Sequence, residues 1–279
     1  MILIMEIRYR DAPDGFLPDD HAWWKRDDQG RRIIGWEEGG FYLLDYANPG
    51  YHRHLAERAA VAVQSGAVDG IMLDWWRDDE DRIALIRAIR ARIGERALIL
   101  ANANDRITPR TAQHINGYFM ECYRSETVED WSRIAATLAW AEAHLREPRI
   151  NCLESWFHRS REDRRLMRAT TTLSLTHSDG YCLFSDPNPL PTPDHLHNWY
   201  SFWDTALGRP LAAGETREDG STRREFSGGT VVFNPMGSEP VEIHFGTVRR
   251  SAATNRVAAH HVVPPGDGDI FCRIQDEGP

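Results

Sequence analysis

The chain has 279 residues, of which 41% are hydrophobic and 27% charged, and a formal net charge of −9 at pH 7. That length suits one β/α barrel of about 250 residues or two ordinary domains. The acidic balance argues against a nucleic-acid or anionic-membrane binder, and no run of about 18 apolar residues marks a membrane span.

The chain opens on Met1-Ile-Leu-Ile-Met-Glu-Ile-Arg8, which reads as a strand. Its apolar stretch is too short for a secretory leader, and Glu6 interrupts it; the compartment is left open, and an export signal is expected only upstream of this strand. Similar apolar runs recur at 2–9, 41–46, 70–75, 97–101, 117–122, 150–154 and 181–185. Near-continuous apolar runs of this length suit strands buried on both faces, as in a parallel sheet.

Helical patterns separate most of these runs. Asn48-Pro49 supplies an N-cap and a first-turn proline, Leu55, Ala59, Ala62 and Val63 share a face, and Gly66 follows the last turn. The next helix is expected over about 78–93, with Ile83, Ile86, Ile89 and Ile93 as its buried stripe and Gly94 as its stop. Thr127-x-x-Asp130 resembles a capping box opening a helix with Trp131, Ile134, Leu138, Ala141 and Leu145. A further helix is expected from Ser160 through Leu166, Met167, Thr170 and Leu173, and an aromatic-rich last helix over 195–207.

Alternating strands and helices imply right-handed βαβ units and a parallel sheet. Cys122, Cys152 and Cys182 are spaced by 30 residues, the length of one such unit; with Cys272 they form no Cys-x-x-Cys pair, so no zinc or redox motif is expected. The fold class expected is α/β, a TIM (β/α)8-type barrel lacking its first strand, over residues 1–207. After Leu207 the helical period ends. Gly228-Gly229, Thr230-Val-Val-Phe233 and the turn Asn234-Pro-Met-Gly237 precede strand-like runs at 241–245, 257–263 and 270–274, which predicts a small antiparallel β domain over 208–279.

Barrel enzymes place their sites at the C-terminal ends of the strands. The residues there are Arg8, Arg10 and Asp11; Asp45; Asp74 with Trp75 and Trp76; Asn102, Asn104 and Asp105; Glu121 with Tyr123; Glu154 with Trp156; and Asp186 with Asn188. Carboxylates and amides bind sugar hydroxyls, and aromatic faces stack on sugar rings. Glycoside hydrolysis needs two carboxyl groups flanking the scissile bond, and Asp74, Glu121 and Glu154 are the candidates. The alternative roles are helix capping and ion pairing with a neighbouring arginine.

Several segments resemble glycoside-hydrolase-like barrels. Asp69-Gly-Ile-Met-Leu-Asp-Trp-Trp76 is similar to their strand-four segment, Leu44-Asp-Tyr-Ala-Asn-Pro49 to the preceding strand and helix start, and Asn116-Gly-Tyr-Phe-Met-Glu-Cys122 to strand six. Arg224-Glu-Phe226 with Gly229-Thr-Val-Val-Phe-Asn-Pro235 resembles the entry to their C-terminal β domain. The resemblance implies an O-glycosidase with Asp74 as nucleophile and Glu121 as general acid/base, or, by a rival pattern, Asp74 paired with Glu154. It implies an oligo- or polysaccharide substrate bound by Arg8, Asp45, Trp75, Trp76, Asn102, Asn104, Tyr123, Glu154, Trp156 and Asp186, with no metal or cofactor.

The alternatives are a non-catalytic glycan-binding protein on a degenerate barrel and a metal-dependent barrel enzyme using Asp74, Glu121 and Asp186. No lysine ends a strand, so a Schiff-base mechanism lacks a nucleophile. In Asp194-His195-x-His197 the spacing puts the two histidines on different helix faces, so they read as exposed polar residues and not as metal ligands. His260-His261 reads as lacking acidic partners and so as no ligand site. The Trp199-Tyr200 and Phe202-Trp203 cluster reads as packing.

Overall fold

Runs apolar on both faces need cover on both faces. The computed structural model describes residues 1–156, 164–186, 196–197 and 199–274. The chain forms two compact units: Met1–Met120 with Ala143–Asn151 and Asn188–Asp194, and Glu121–Glu142 with Cys152–Pro187 and His195–Pro279.

In the first unit, β1 (Ile4–Glu6) is followed by three short strands, β2 (Asp11–Pro13), β3 (Ile34–Trp36) and β4 (Phe41–Leu43). Then come α1 (Pro49–Gln64), β5 (Gly70–Leu73), α2 (Glu80–Ile93), β6 (Leu98–Asn102) and β7 (Gly117–Cys122), whose last two residues belong to the second unit. Strands β1, β5, β6 and β7 are hydrogen-bonded in that order and parallel. Ile71 and Leu73 are buried on one face of β5. On the other, Met72 packs with Ile4, Leu98, Leu100, Phe119 and Ile150. Each fully buried Leu or Ile contributes about 1.5–3 kcal/mol. The strands approach closely where they start: a Cβ on Gly70 would stand 2.2 Å from the Leu98 carbonyl oxygen.

The helix starts follow the expected chemistry. Asn48 Oδ1 accepts from the Gly50 and Tyr51 amides, and Asp79 accepts from the Arg82 amide. Gly94 ends α2 at φ 77°, a conformation glycine adopts without steric cost. Ile83, Ile86 and Ile89 are buried, whereas Ile93 is only partly so.

The run at 41–46 is not a barrel strand. β4 pairs antiparallel with β2 and β3, and β1 pairs directly with β5. Antiparallel partners separated by a loop close locally, so this run is used in a three-stranded excursion between β1 and α1. Among the described residues, the strands in parallel pairs are β1 with β5, β5 with β6, β6 with β7, and β8 with β9, and no closed eight-stranded barrel is formed.

In the second unit, α3 (Val128–His144) starts with a reciprocal box: the Asp130 amide donates to Thr127 Oγ1 and the Thr127 amide to Asp130 Oδ2, each at 3.1 Å. β8 (Cys152–Trp156) and β9 (Tyr181–Asp186) pair in parallel, and α4 (Arg165–His177) crosses between them. The expected start of α4 at Ser160 lies outside the described residues. α4 is buried on nearly every side, because it packs both on β9 and on the C-terminal sheet. Its threonines tolerate this by bonding back into the helix: Thr170, Thr171 and Thr172 donate to the carbonyls of Leu166, Met167 and Arg168 at 2.7–2.8 Å.

Among the described residues of 195–207 the expected helix does not form. β10 (Leu196–His197) instead pairs antiparallel with the end of β9, and a 3-10 turn occupies Ser201–Asp204. His, Asn, Trp, Tyr and Phe are all weak helix formers, and the rings here are fixed one by one. Tyr200 meets Phe184 and Trp203 edge-on at 6.0 and 5.1 Å, and Phe202 is buried with Leu207, Phe226 and Ile270. Packing thus accounts for Tyr200 and Phe202, while Trp199 stays exposed.

The cysteine spacing marks the repeat length but not matched positions. Cys122 ends β7, Cys152 begins β8 and Cys182 is the second residue of β9. All four cysteines are free thiols.

The C-terminal segment forms an antiparallel sheet of β11 (Glu215–Thr216), β12 (Thr222–Phe226), β13 (Gly229–Asn234), β14 (Val241–Ser251), β15 (Val257–Val263) and β16 (Asp267–Arg273), in the order β11-β12-β13-β16-β14-β15. Arg168 of α4 grips Asp267 with two bonds of 2.8 and 2.7 Å. No helix among the described residues is long and apolar enough to cross a membrane.

Candidate functional site

In the first unit, the end of β5 carries the candidate Asp74. Leu73 pairs with Ala101, so the next residues, Asp74 and Asn102, stand side by side. Asn102 Nδ2 donates to Asp74 Oδ1 at 2.8 Å, and the Trp75 amide donates to the same oxygen at 2.8 Å. Two N–H donors on one oxygen suit a carboxylate and fix its plane. Asn102 is itself buried, and its Oδ1 accepts from the Asn104 amide at 3.1 Å.

Trp75 follows at φ 52°, an uncommon conformation for an aromatic residue. It turns the ring outward, 47% exposed, with the Arg10 guanidinium 4.4 Å from the ring centroid. Trp76 is the opposite case. It is buried, edge-on to Tyr9 at 5.8 Å, and its Nε1 donates to Thr111 at 3.1 Å. Expected beside a ligand, it is a core residue, because the chain returns inward to start α2.

Below Trp75 lies a network that sequence reasoning missed. The Tyr9 hydroxyl donates to the Trp75 carbonyl at 3.0 Å and accepts from Arg82 Nε at 2.6 Å. Burial pushes the Tyr9 hydroxyl well above its ordinary range, so it keeps the proton it donates. Arg82 also donates to the Tyr46 hydroxyl at 3.1 Å and pairs with Asp79. The signal available was Arg82 on the apolar face of α2, three residues after the capping Asp79.

Two other strand-end residues have local partners. Asp45 Oδ1 accepts from the Ala47 amide at 3.3 Å in the turn that leads to Asn48. The Arg8 guanidinium lies 4.3 Å from the Phe41 ring centroid and 3.5 Å from Glu6.

In the second unit, Glu121 is half-buried near the end of β7 and Tyr123 beyond it is exposed. Glu154 and Trp156 are two residues apart on β8 and so share a face. Glu154 is fully buried and accepts from the Ser185 hydroxyl on β9. The Tyr123 and Trp156 rings meet edge-on at 6.5 Å. Asp186 ends β9, its Cα opposite Leu196. Asn188, Asp194 and His195 lie outside the described residues.

The histidine pair of the C-terminal sheet departs from expectation. His261 is buried against Phe271 at 4.7 Å between ring centroids. His260 faces outward with the Glu242 carboxylate 3.6 Å away, so an acidic neighbour is present. Cross-strand register brings it there from 18 residues upstream.

No protein-family model matches the chain, and no curated protein matches it. Its fold does match solved structures. A noncanonic maltogenic α-amylase from Thermotoga neapolitana superposes with a TM-score of 0.60 at 13% identity, covering 99% of this chain and 78% of that one. An α-amylase from Lactobacillus plantarum gives 0.57 at 12% identity, over 98% and 78% of the two chains. The cyclic α-maltosyl-(1→6)-maltose hydrolase from Arthrobacter globiformis gives 0.56 at 13% identity, over 98% and 75%. The chain has a glycoside-hydrolase-like fold.

Proposed function

We propose that this protein is a carbohydrate-active hydrolase cleaving O-glycosidic bonds, with Asp74 as nucleophile and Glu121 as general acid/base. The observation that carries it is the end of β5. Asp74 is held by two N–H donors, and an outward-turned tryptophan follows it directly. A retaining mechanism needs a carboxylate fixed for in-line attack and a second carboxyl group to protonate the leaving oxygen. Glu121, half-buried on β7 beside exposed Tyr123, is the second group; Glu154, committed to Ser185, is the reserve. Trp75 offers a flat face for a sugar ring. An oligo- or polysaccharide is the substrate class, and α-linked glucans come first because the structural neighbours are named as amylases and a maltose-unit hydrolase.

The test is hydrolysis of an α-glucan and β-glycan panel by the wild type, Asp74→Asn and Glu121→Gln. Each substitution is expected to lower kcat by at least about a thousandfold, more than 4 kcal/mol of transition-state stabilisation. Full activity in either variant refutes that residue's role. Saturable glycan binding in calorimetry with no turnover by the wild type would instead establish the non-catalytic binding reading.

A further inference from the structure

We propose that Glu242, His244 and His260 form a binding site for one divalent transition-metal ion, zinc being the simplest fit, on the outer face of the C-terminal sheet. This inference is independent of the glycosidase reading.

Strand β14 alternates: Val241 and Ile243 are buried, whereas Glu242 and His244 face out. On β15, His260 lies directly opposite His244, and Val262 opposite Glu242. The register therefore puts two imidazoles side by side and one carboxylate diagonal to the second. The rings stack at 4.4 Å between centroids, 9° from parallel. Glu242 Oε2 lies 3.6 Å from Nε2 of His244 and 3.6 Å from Nε2 of His260. One donor atom from each residue lies within 4.8 Å of the other two.

Those separations are too long for hydrogen bonds, which close at about 2.7–3.2 Å. They are near the separation of two ligands on one ion: bonds of about 2.0–2.1 Å in tetrahedral geometry put ligand atoms about 3.3 Å apart. His260 Nε2 is cut off from solvent and has no hydrogen-bond partner. A buried imidazole nitrogen without a partner is costly, and an ion among the three donors would satisfy it. The stacked rings need only splay about their Cβ–Cγ bonds to aim both lone pairs at one point.

Donor chemistry fixes the class of ion. Two imidazoles and one carboxylate suit zinc, copper, nickel or iron, whereas calcium and magnesium prefer all-oxygen sets. With three protein ligands the ion keeps an open position for water, and it ties β14 to β15.

The experiment is titration of the untagged full chain with zinc chloride by calorimetry at pH 7.5, and with cobalt(II) by visible absorption. Wild type is expected to bind one ion per chain with a Co(II) d–d band. His244→Ala and His260→Ala should each weaken this site at least tenfold, and Glu242→Gln by a smaller factor. Thermal melts should show zinc raising the wild-type Tm but not that of His244→Ala, whose exposed position leaves the fold intact. Absence of saturable binding overturns the proposal, as does one-to-one binding that survives unchanged in the His244→Ala/His260→Ala double variant.

Discussion

The side-chain amide of Asn102 donates to Oδ1 of Asp74 at 2.8 Å, joining the ends of the neighbouring strands β5 and β6. The carboxylate at one strand end is therefore oriented by the strand beside it. Asn102 is a positioning residue in the proposed reaction. Asn102→Ala is expected to lower kcat by about 10- to 100-fold, the loss of about 1.4–2.8 kcal/mol, with KM on a cleaved glycan nearly unchanged. Steady-state kinetics check this; an unchanged kcat would show that Asp74 needs no support from β6.

The start of β5 admits no side chain. A Cβ on Gly70 would meet the backbone carbonyl of Leu98, 2.2 Å away, and backbone atoms cannot swing aside. Gly70→Ala should lower the unfolding free energy by about 3 kcal/mol, at the upper end of the usual cost of overpacking. Urea denaturation followed by tryptophan fluorescence measures it.

In the second unit, Arg168 and Asp267 form a two-bonded pair with side chains 19% and 6% exposed. Removing one partner strands the other charge. Arg168→Ala should destabilise the chain by about 3 kcal/mol, the lower end for a broken buried pair because Arg168 keeps some solvent. A fall in the guanidinium midpoint at unchanged slope is the expected result.

His177 ends α4, edge-on to Phe233 at 6.0 Å. Burial holds its pKa below the ordinary 6.5, against a smaller opposing contribution from the Leu173 carbonyl. Below pH 6.5 the unfolded chain takes up a proton that the folded chain resists, so this residue's share of stability is complete above that pH and is lost as pH falls toward the depressed folded value. His177→Phe should lose less Tm than wild type between pH 7.5 and pH 5.5. Equal losses would mean the imidazole is free to charge in the fold.

Local signals were legible wherever one residue and its neighbours settle the matter. Asn48-Pro49, Thr127-x-x-Asp130 and Gly94 set helix ends through contacts a few residues long. The parallel strands at 70–73, 98–102, 117–122, 152–156 and 181–186 lie close to the expected runs, because apolar runs between helices have few other uses. Asp74 and Trp75 were legible as neighbours at a strand end. The run at 41–46 misled because an apolar stretch does not say which strand it will pair with, and β2 and β3 were short enough to escape notice. Trp76 misled because adjacent residues on a turning chain point to opposite sides.

The sequence by itself determined the alternation of strands and helices and the acids at the strand ends, since period and punctuation are local properties. Only the tertiary structure decided what stands beside what. Asn102 reaches Asp74 from 28 positions away, Tyr9 reaches Trp75 from 66, and Glu242 meets His260 through cross-strand register. Contacts of that separation depend on strand order and pairing register, which are set by how the whole chain buries its apolar faces together.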